Sequence, residues 1–291
     1  MRNMNMYKSL PNKLARDITA EEISAYEEDG AVVLRGVLPL EWIEEMRVAV
    51  QDILDNPGKA SNDYQTKEGD GRFYNDFFLW WRNPVFKAFM KDSPMAEIAA
   101  QVMKSKTLNF FYDQLLVKEP HSSEPTPWHQ DQSYWPLTGE QIISVWTPFD
   151  AATEASGVLS YVKGSHKWGK IFAPTIFGNN PAYVEIYKKA GLETLPDIEA
   201  QRGKYEILCW DMDAGDVLLH HPKTLHYAAG NKTENRRRGL ALRYLGDDAR
   251  FDNRPGTFLE NNKVMSTIPE IKFETGEPLS GDLFPRVWPR L

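Results

Sequence analysis

The sequence predicts a mainly β protein, an antiparallel sandwich or jelly roll preceded by a helical N-terminal third. Three observations carry this. From residue 108 the chain breaks into short runs of β-branched and aromatic residues separated by turn residues. The first hundred residues instead repeat apolar side chains at helical spacing. The composition, 42% hydrophobic with nine Trp and fourteen Phe, supplies a large core.

Taken in order, Thr19 and Glu22 form a capping-box pair, and the helix they open ends at Asp29-Gly30, where Gly accepts the left-handed cap. A strand is expected at 31–34. Trp42, Met46, Val50 and Ile53 share one face of a helix over 39–54. Ser93-Pro94 starts another, with Met95, Ile98, Ala99 and Val102 as its buried stripe. Strands are then expected at 108–118, 142–150, 157–162, 205–210, 216–221 and 237–246. Residues 170–202 form a Pro-, Gly- and Asn-containing insertion longer than a connector, read either as a lid or as a surface elaboration. No repeat or clean linker divides the chain, so one catalytic domain over 1–291 is expected: helical support at 18–106, a jelly-roll core at 107–250 and a C-terminal extension at 251–291.

The net charge of −7 disfavours a phosphate-backbone binder, so no nucleic-acid partner is expected. One cysteine, Cys209, excludes an internal disulfide and any multi-cysteine zinc or iron–sulfur site. No stretch resembles a signal-peptide core or reaches the ~20 apolar residues of a membrane span, so the reading is cytoplasmic with no membrane partner. The oligomeric state stays open.

The chemistry begins at Trp128-His129-Gln130-Asp131. On a strand, residues two apart share a face, so His129 and Asp131 can address one ion. Chance alone supplies about one such pair in a chain with this many acids, so the pair needs support. His220, His221 and His226 are candidates for a third ligand, and His226 is the best placed. Eleven residues later Arg237 opens a run in which Arg237, Gly239 and Ala241 alternate onto one face against Leu240, Leu242 and Tyr244. A cation beside a small-residue floor leaves room for a carboxylate-bearing ligand such as 2-oxoglutarate. Two His and one carboxylate with open positions form the facial triad of mononuclear non-haem Fe(II) sites that use O2.

These residues resemble the phytanoyl-CoA dioxygenase-like branch of the Fe(II)/2-oxoglutarate oxygenases, which also contains ectoine hydroxylase. The resemblance runs from about 112 to 244 through Lys118-Glu-Pro, Trp128-His-Gln-Asp131, Trp146, Gly164-Ser-His166, Asp213-Ala-Gly-Asp216, and His226 with Asn231 and Arg237. It implies a double-stranded β-helix, a jelly-roll barrel with iron near one open end. It also implies His129, Asp131 and His226 as iron ligands, Arg237 on the distal carboxylate of 2-oxoglutarate, Gln130 and Trp146 lining the co-substrate pocket, and Lys118 near the other carboxylate. The sequence departs from the pattern at Ala228, where many relatives carry Ser. Asp131 keeps the family's acidic ligand, where Ala or Gly would imply halogenation, so oxygen transfer is expected, with hydroxylation as the default.

Gln114, Gln132, Tyr134 and Trp135 flank the metal segment as candidate substrate contacts for a small or medium organic molecule. The stretch 72–82 holds six aromatics, including Phe73, Tyr74 and Phe77, and reads either as a pocket wall or as a seam between helices and barrel. No basic surface for CoA phosphates is evident. Two rival readings remain: a triad metalloenzyme that does not use 2-oxoglutarate, for which Arg237 would be dispensable, and a non-catalytic member that has kept the fold.

Overall fold

A computed structural model describes residues 7, 9–65, 68–174 and 192–290. The helical support begins with α1 (Ala20–Asp29), whose capping box forms as expected: the Thr19 side chain accepts from the Glu22 amide, and the Glu22 carboxylate from the Thr19 amide. Gly30 closes it at φ +79°, and no Cβ fits there, because His166 and Thr224 stand where it would go. β1 (Ala31–Leu34) and α2 (Leu40–Asp55) follow, the latter burying Trp42, Met46, Val50 and Ile53.

The aromatic stretch is partly a strand. β2 (Asn62–Tyr64) and β3 (Phe73–Phe77) form a hairpin on the sheet edge, and α3 (Leu79–Arg82) continues from it. α4 (Pro84–Asp92) is an element the sequence reading did not single out. The Asn83 side chain accepts from the amides of Val85 and Phe86, and Pro84 sits at its first turn, where a missing N–H costs nothing. α5 (Met95–Met103) completes the support, with its expected stripe of Met95, Ile98, Ala99 and Val102 buried.

Two antiparallel sheets form the jelly roll. The larger contains β4 (Leu108–Lys118), β7 (Ile142–Pro148), β10 (Val217–His220) and β12 (Arg237–Leu245), in the order β1-β10-β7-β12-β4-β3-β2. The smaller is β5-β11-β8-β9, made of β5 (Thr126–His129), β8 (Leu159–Val162), β9 (Ile207–Cys209) and β11 (His226–Ala228). β6 (Leu137–Thr138) pairs with β13 (Arg250–Phe251), and β14 (Arg286–Trp288) pairs with β4, which ties the C-terminal extension to the larger sheet.

Both faces of the larger sheet are covered. Val145, Leu240, Leu242 and Tyr244 pack with Trp42, Phe89 and Ile98 of the helices in one core, while Trp146, Leu218 and Ala241 meet Leu159, Tyr161 and Ala228 of the smaller sheet in another. This explains why all seven residues of β7 are buried and alternation of burial is lost there. No helix among the described residues is long and apolar enough to cross a membrane. Of the candidate lid, residues 175–191 lie outside the described residues.

Candidate functional site

β5 and β11 are hydrogen-bonded neighbours, and their register sets His129 directly across from His226, with ring centroids 4.0 Å apart. Asp131 is not on that strand. β5 ends at His129, and Asp131 begins a 3₁₀ turn, so strand alternation is not what aligns the pair; the turn brings the carboxylate back toward the imidazole. Asp131 Oδ1 lies 3.7 Å from His129 Nε2 and 3.8 Å from His226 Nε2.

The remaining atoms of these side chains are already engaged. His129 Nδ1 donates to the Pro127 carbonyl at 2.8 Å, and His226 Nδ1 to the Thr224 carbonyl at 2.9 Å. Carbonyls only accept, so both rings carry a proton on Nδ1, which turns Nε2 of each toward Asp131. Asp131 Oδ2 accepts from Ser144 Oγ at 2.6 Å and from His220 Nε2 at 3.2 Å, and the Tyr161 hydroxyl orients the other nitrogen of His220 at 3.1 Å. What stays free is two imidazole nitrogens and one carboxylate oxygen aimed at one point, the donor set for a divalent iron. Burial pushes the Asp131 carboxyl up, but His129, His220 and the Arg243 cation outweigh it and hold the group well below the usual carboxylate range. Burial, with His129 and His220 nearby, holds His226 neutral as a ligand must be.

These residues line a cavity of about 410 Å³ between the sheets. Arg237 enters it from the first residue of β12, 3% exposed, and among the described residues its hydrogen-bond acceptors are the carbonyls of Ser156, Leu116 and Gly157 at 3.1–3.4 Å. Burial lowers its pKa to about 10. Its guanidinium carbon lies 5.8 Å from the centre of the Trp146 ring. The small-residue floor works differently from the sequence reading: a Cβ on Gly239 would lie 2.4 Å from the Trp146 ring, so Gly239 makes room for that indole, and Ala241 is the residue that faces the cavity.

Other candidates divide by direction. Trp146, Gln114, Tyr134, Trp135, Phe73 and Phe77 line the cavity. Tyr74 does not; it alternates to the other face of β3, where its hydroxyl bonds Asp76 at 2.8 Å, so the aromatic stretch is wall on one face and seam on the other. Gln130 is also absent from the lining. Its amide donates to the carbonyls of Lys170 and Lys223 and accepts from the Phe172 amide, tying three segments together. Gln132 donates to the Leu137 carbonyl outside the cavity lining. The Lys118 ammonium is taken up by the carbonyls of Glu124, Ala228 and Ala229 and lies 4.8 Å from the Phe73 ring centre, behind the lining. Burial and the neighbouring Arg237 hold its pKa well below the usual value.

Ser144, Tyr161 and Arg243 touch the candidate site without having been singled out by the sequence, and His220, a ligand candidate in the sequence, instead hydrogen-bonds Asp131. Arg243 continues the Arg237, Gly239, Ala241 alternation by one step, a signal present in the sequence and not followed to its end.

The sequence profile of the phytanoyl-CoA dioxygenase (PhyH) family matches residues 26–239. The chain belongs to the phytanoyl-CoA dioxygenase family. A probable phytanoyl-CoA dioxygenase of Caenorhabditis elegans is 25% identical to this family member over 268 residues, 84% of this chain and 80% of the relative. Among solved structures, SnoK, a non-heme alpha ketoglutarate dependent carbocyclase from nogalamycin biosynthesis, superposes with a TM-score of 0.73 at 22% identity, over 96% of this chain and all of that one. EctD from S. alaskensis, with 2-oxoglutarate and 5-hydroxyectoine, gives 0.66 at 17% identity over 93% and 90%. The jelly roll of this phytanoyl-CoA dioxygenase family member is thus shared with both.

Proposed function

We propose that the chain is an Fe(II)- and 2-oxoglutarate-dependent dioxygenase that oxidises a small or medium organic substrate, by hydroxylation as the default outcome, with 2-oxoglutarate going to succinate and CO2. One observation carries the reading. Three otherwise unengaged donor atoms converge at a cavity that also holds a buried guanidinium with no carboxylate partner among the described residues. His129, Asp131 and His226 would hold the iron, which when bound supplies the site for the 2-oxo acid and for O2 activation.

The protein's own contribution is positioning. Ser144 and His220 keep Asp131 Oδ2 occupied so that Oδ1 faces the His pair. Arg237 is placed to grip the distal carboxylate of 2-oxoglutarate, with Trp146 packed beside it. Ala228 lines this part of the cavity without a hydroxyl, so one polar contact is missing relative to the resemblance noted above. Lys118, with its ammonium bound to three carbonyls, is not assigned to the co-substrate. The aromatic wall excludes water and suits a substrate with apolar surface. The lone Cys209, which leaves no internal disulfide, supports a cytoplasmic setting.

The test is anaerobic titration of apoprotein with Fe(II) and then 2-oxoglutarate, followed by the visible charge-transfer band of a chelated 2-oxo acid. The band is expected. Iron binding without it would leave the triad enzyme that works without 2-oxoglutarate.

A further inference from the structure

The cavity contains a second buried cation that the proposed reaction leaves without a task. Arg243 lies on the cavity face of β12, 4% exposed. One terminal nitrogen donates to Gln114 Oε1 at 2.9 Å and the other makes a long contact, 3.4 Å, to the Ala241 carbonyl; Nε has no partner. Its guanidinium carbon sits 4.7 Å from the Tyr112 ring centre and 5.9 Å from that of Trp135. No carboxylate lies within 4.0 Å among the described residues. Asp131 and Arg243 act on each other through space but form no ion pair, since Oδ2 is held by Ser144 and His220 and Oδ1 faces the two imidazoles.

The contrast within one strand region is informative. Arg236 and Arg238 are ion-paired, with Glu119 and Asp150, whereas Arg237 and Arg243, which point inward, are not. A buried cation without an ion-pair partner is costly, and in a cavity this is the condition of a site awaiting an anion. Two such cations stand six residues apart on the same face, about 20 Å along a strand at ~3.3 Å per residue. They also stand in different company: Arg237 beside Trp146, Arg243 framed by Gln114, Tyr112 and Trp135.

We propose that Arg243 anchors a carboxylate of the prime substrate, which is therefore an organic acid whose apolar or aromatic skeleton lies against Phe77, Tyr134 and Phe258. The inference rests on the dioxygenase reading above and names its substrate class. Each terminal nitrogen of Arg243 spends one N–H inside the protein, on Gln114 and on the long Ala241 contact, and keeps a second N–H with which a carboxylate can be bound. The indole and phenol rings beneath the guanidinium fix its plane, so little side-chain freedom is lost on binding.

The experiment is a binding comparison of 3-phenylpropanoate and 5-phenylpentanoate with their methyl esters, read by tryptophan fluorescence, Trp135 being in the wall. It is run with and without Fe(II) and 2-oxoglutarate, so it does not depend on the cofactor chemistry. Wild-type protein is expected to prefer the acids by ~10-fold or more. Arg243→Gln should abolish the preference, Arg243→Lys should retain part of it, and both should still show the 2-oxoglutarate charge-transfer band. Equal binding of acid and ester by wild type, or no binding of either acid at millimolar concentration, would overturn the proposal. So would loss of the band in Arg243→Gln, which would reassign Arg243 to 2-oxoglutarate. An intact acid preference in a wild-type protein that shows no band would defeat the dioxygenase reading alone and leave the anion site standing.

Discussion

Arg237→Met removes the cation assigned to 2-oxoglutarate while keeping most of the side-chain volume. In the folded protein Arg237 loses only three carbonyl contacts at 3.1–3.4 Å, so the variant is expected to fold. A bound carboxylate loses more. A hydrogen bond to a charged group contributes ~1.5–3 kcal/mol net, and the guanidinium can offer two. At ~1.4 kcal/mol per tenfold, 2-oxoglutarate binding should weaken by roughly one to four orders of magnitude, from one weak bond lost to two strong ones. The assay is the anaerobic Fe(II) titration, with pyruvate as a second ligand because it keeps the 2-oxo acid and lacks the distal carboxylate. Wild type and variant should bind pyruvate alike and differ only for 2-oxoglutarate. Unchanged half-saturation by 2-oxoglutarate, or an equal loss for both ligands, would refute the role given to Arg237.

Ser144→Ala removes the 2.6 Å hydroxyl bond that occupies Asp131 Oδ2, and Fe(II) affinity measured by calorimetry should fall by ~10- to 100-fold with the fold retained. Gly239→Ala drives a Cβ to 2.4 Å from the Trp146 ring; it should cost ~1–3 kcal/mol in urea unfolding and raise half-saturation by 2-oxoglutarate, and a neutral result would mean that the ring moves freely. Asp113, fully buried with one oxygen on the Trp80 amide and the other without a partner, has its pKa raised by burial from 3.8 to about 7. A raised acid binds more protons folded than unfolded, so this group's contribution to stability is present at acid pH and is lost as pH rises from about 4 to about 7. The slope is at most ~1.4 kcal/mol per pH unit, and Asp113→Asn should flatten the unfolding midpoint across that window; parallel curves for the two proteins would contradict the assignment.

The helices were legible because local chemistry writes them. Thr19 and Glu22 cap α1 as their spacing implies, and the stripes of α2 and α5 are buried as read. α4 carries a start signal in Asn83-Pro84, but its nine residues follow closely on the aromatic run 73–81, so its apolar stripe does not stand out as a separate period. That run shows a further limit of sequence. Phe73 and Phe77 face the cavity and Tyr74 faces the core, and nothing in the string 73–77 says which parity points inward; only pairing of β3 with β4 does. Hydrogen bonds to Lys170, Phe172 and Lys223 likewise hold Gln130 away from the cavity that the family resemblance assigned to it.

The sequence by itself determined which chemical groups are present: two His, an Asp and an Arg of the types proposed to hold iron and a 2-oxo acid, on a chain whose β runs and helical N-terminal third were visible as periodicity. The tertiary structure alone decided which atoms of those residues are free. Ring nitrogens, carboxylate oxygens and guanidinium edges are committed by partners far away in the chain, such as Ser144 and His220 on Asp131, and by the register that sets His226 across from His129. It also decided that Arg243 is buried without an ion-pair partner among the described residues while Arg236 and Arg238 are paired. The reason is physical: residue identity fixes which donors and charges exist, but hydrogen bonding and desolvation depend on which groups the fold brings within about 3 Å, and that is a property of packing.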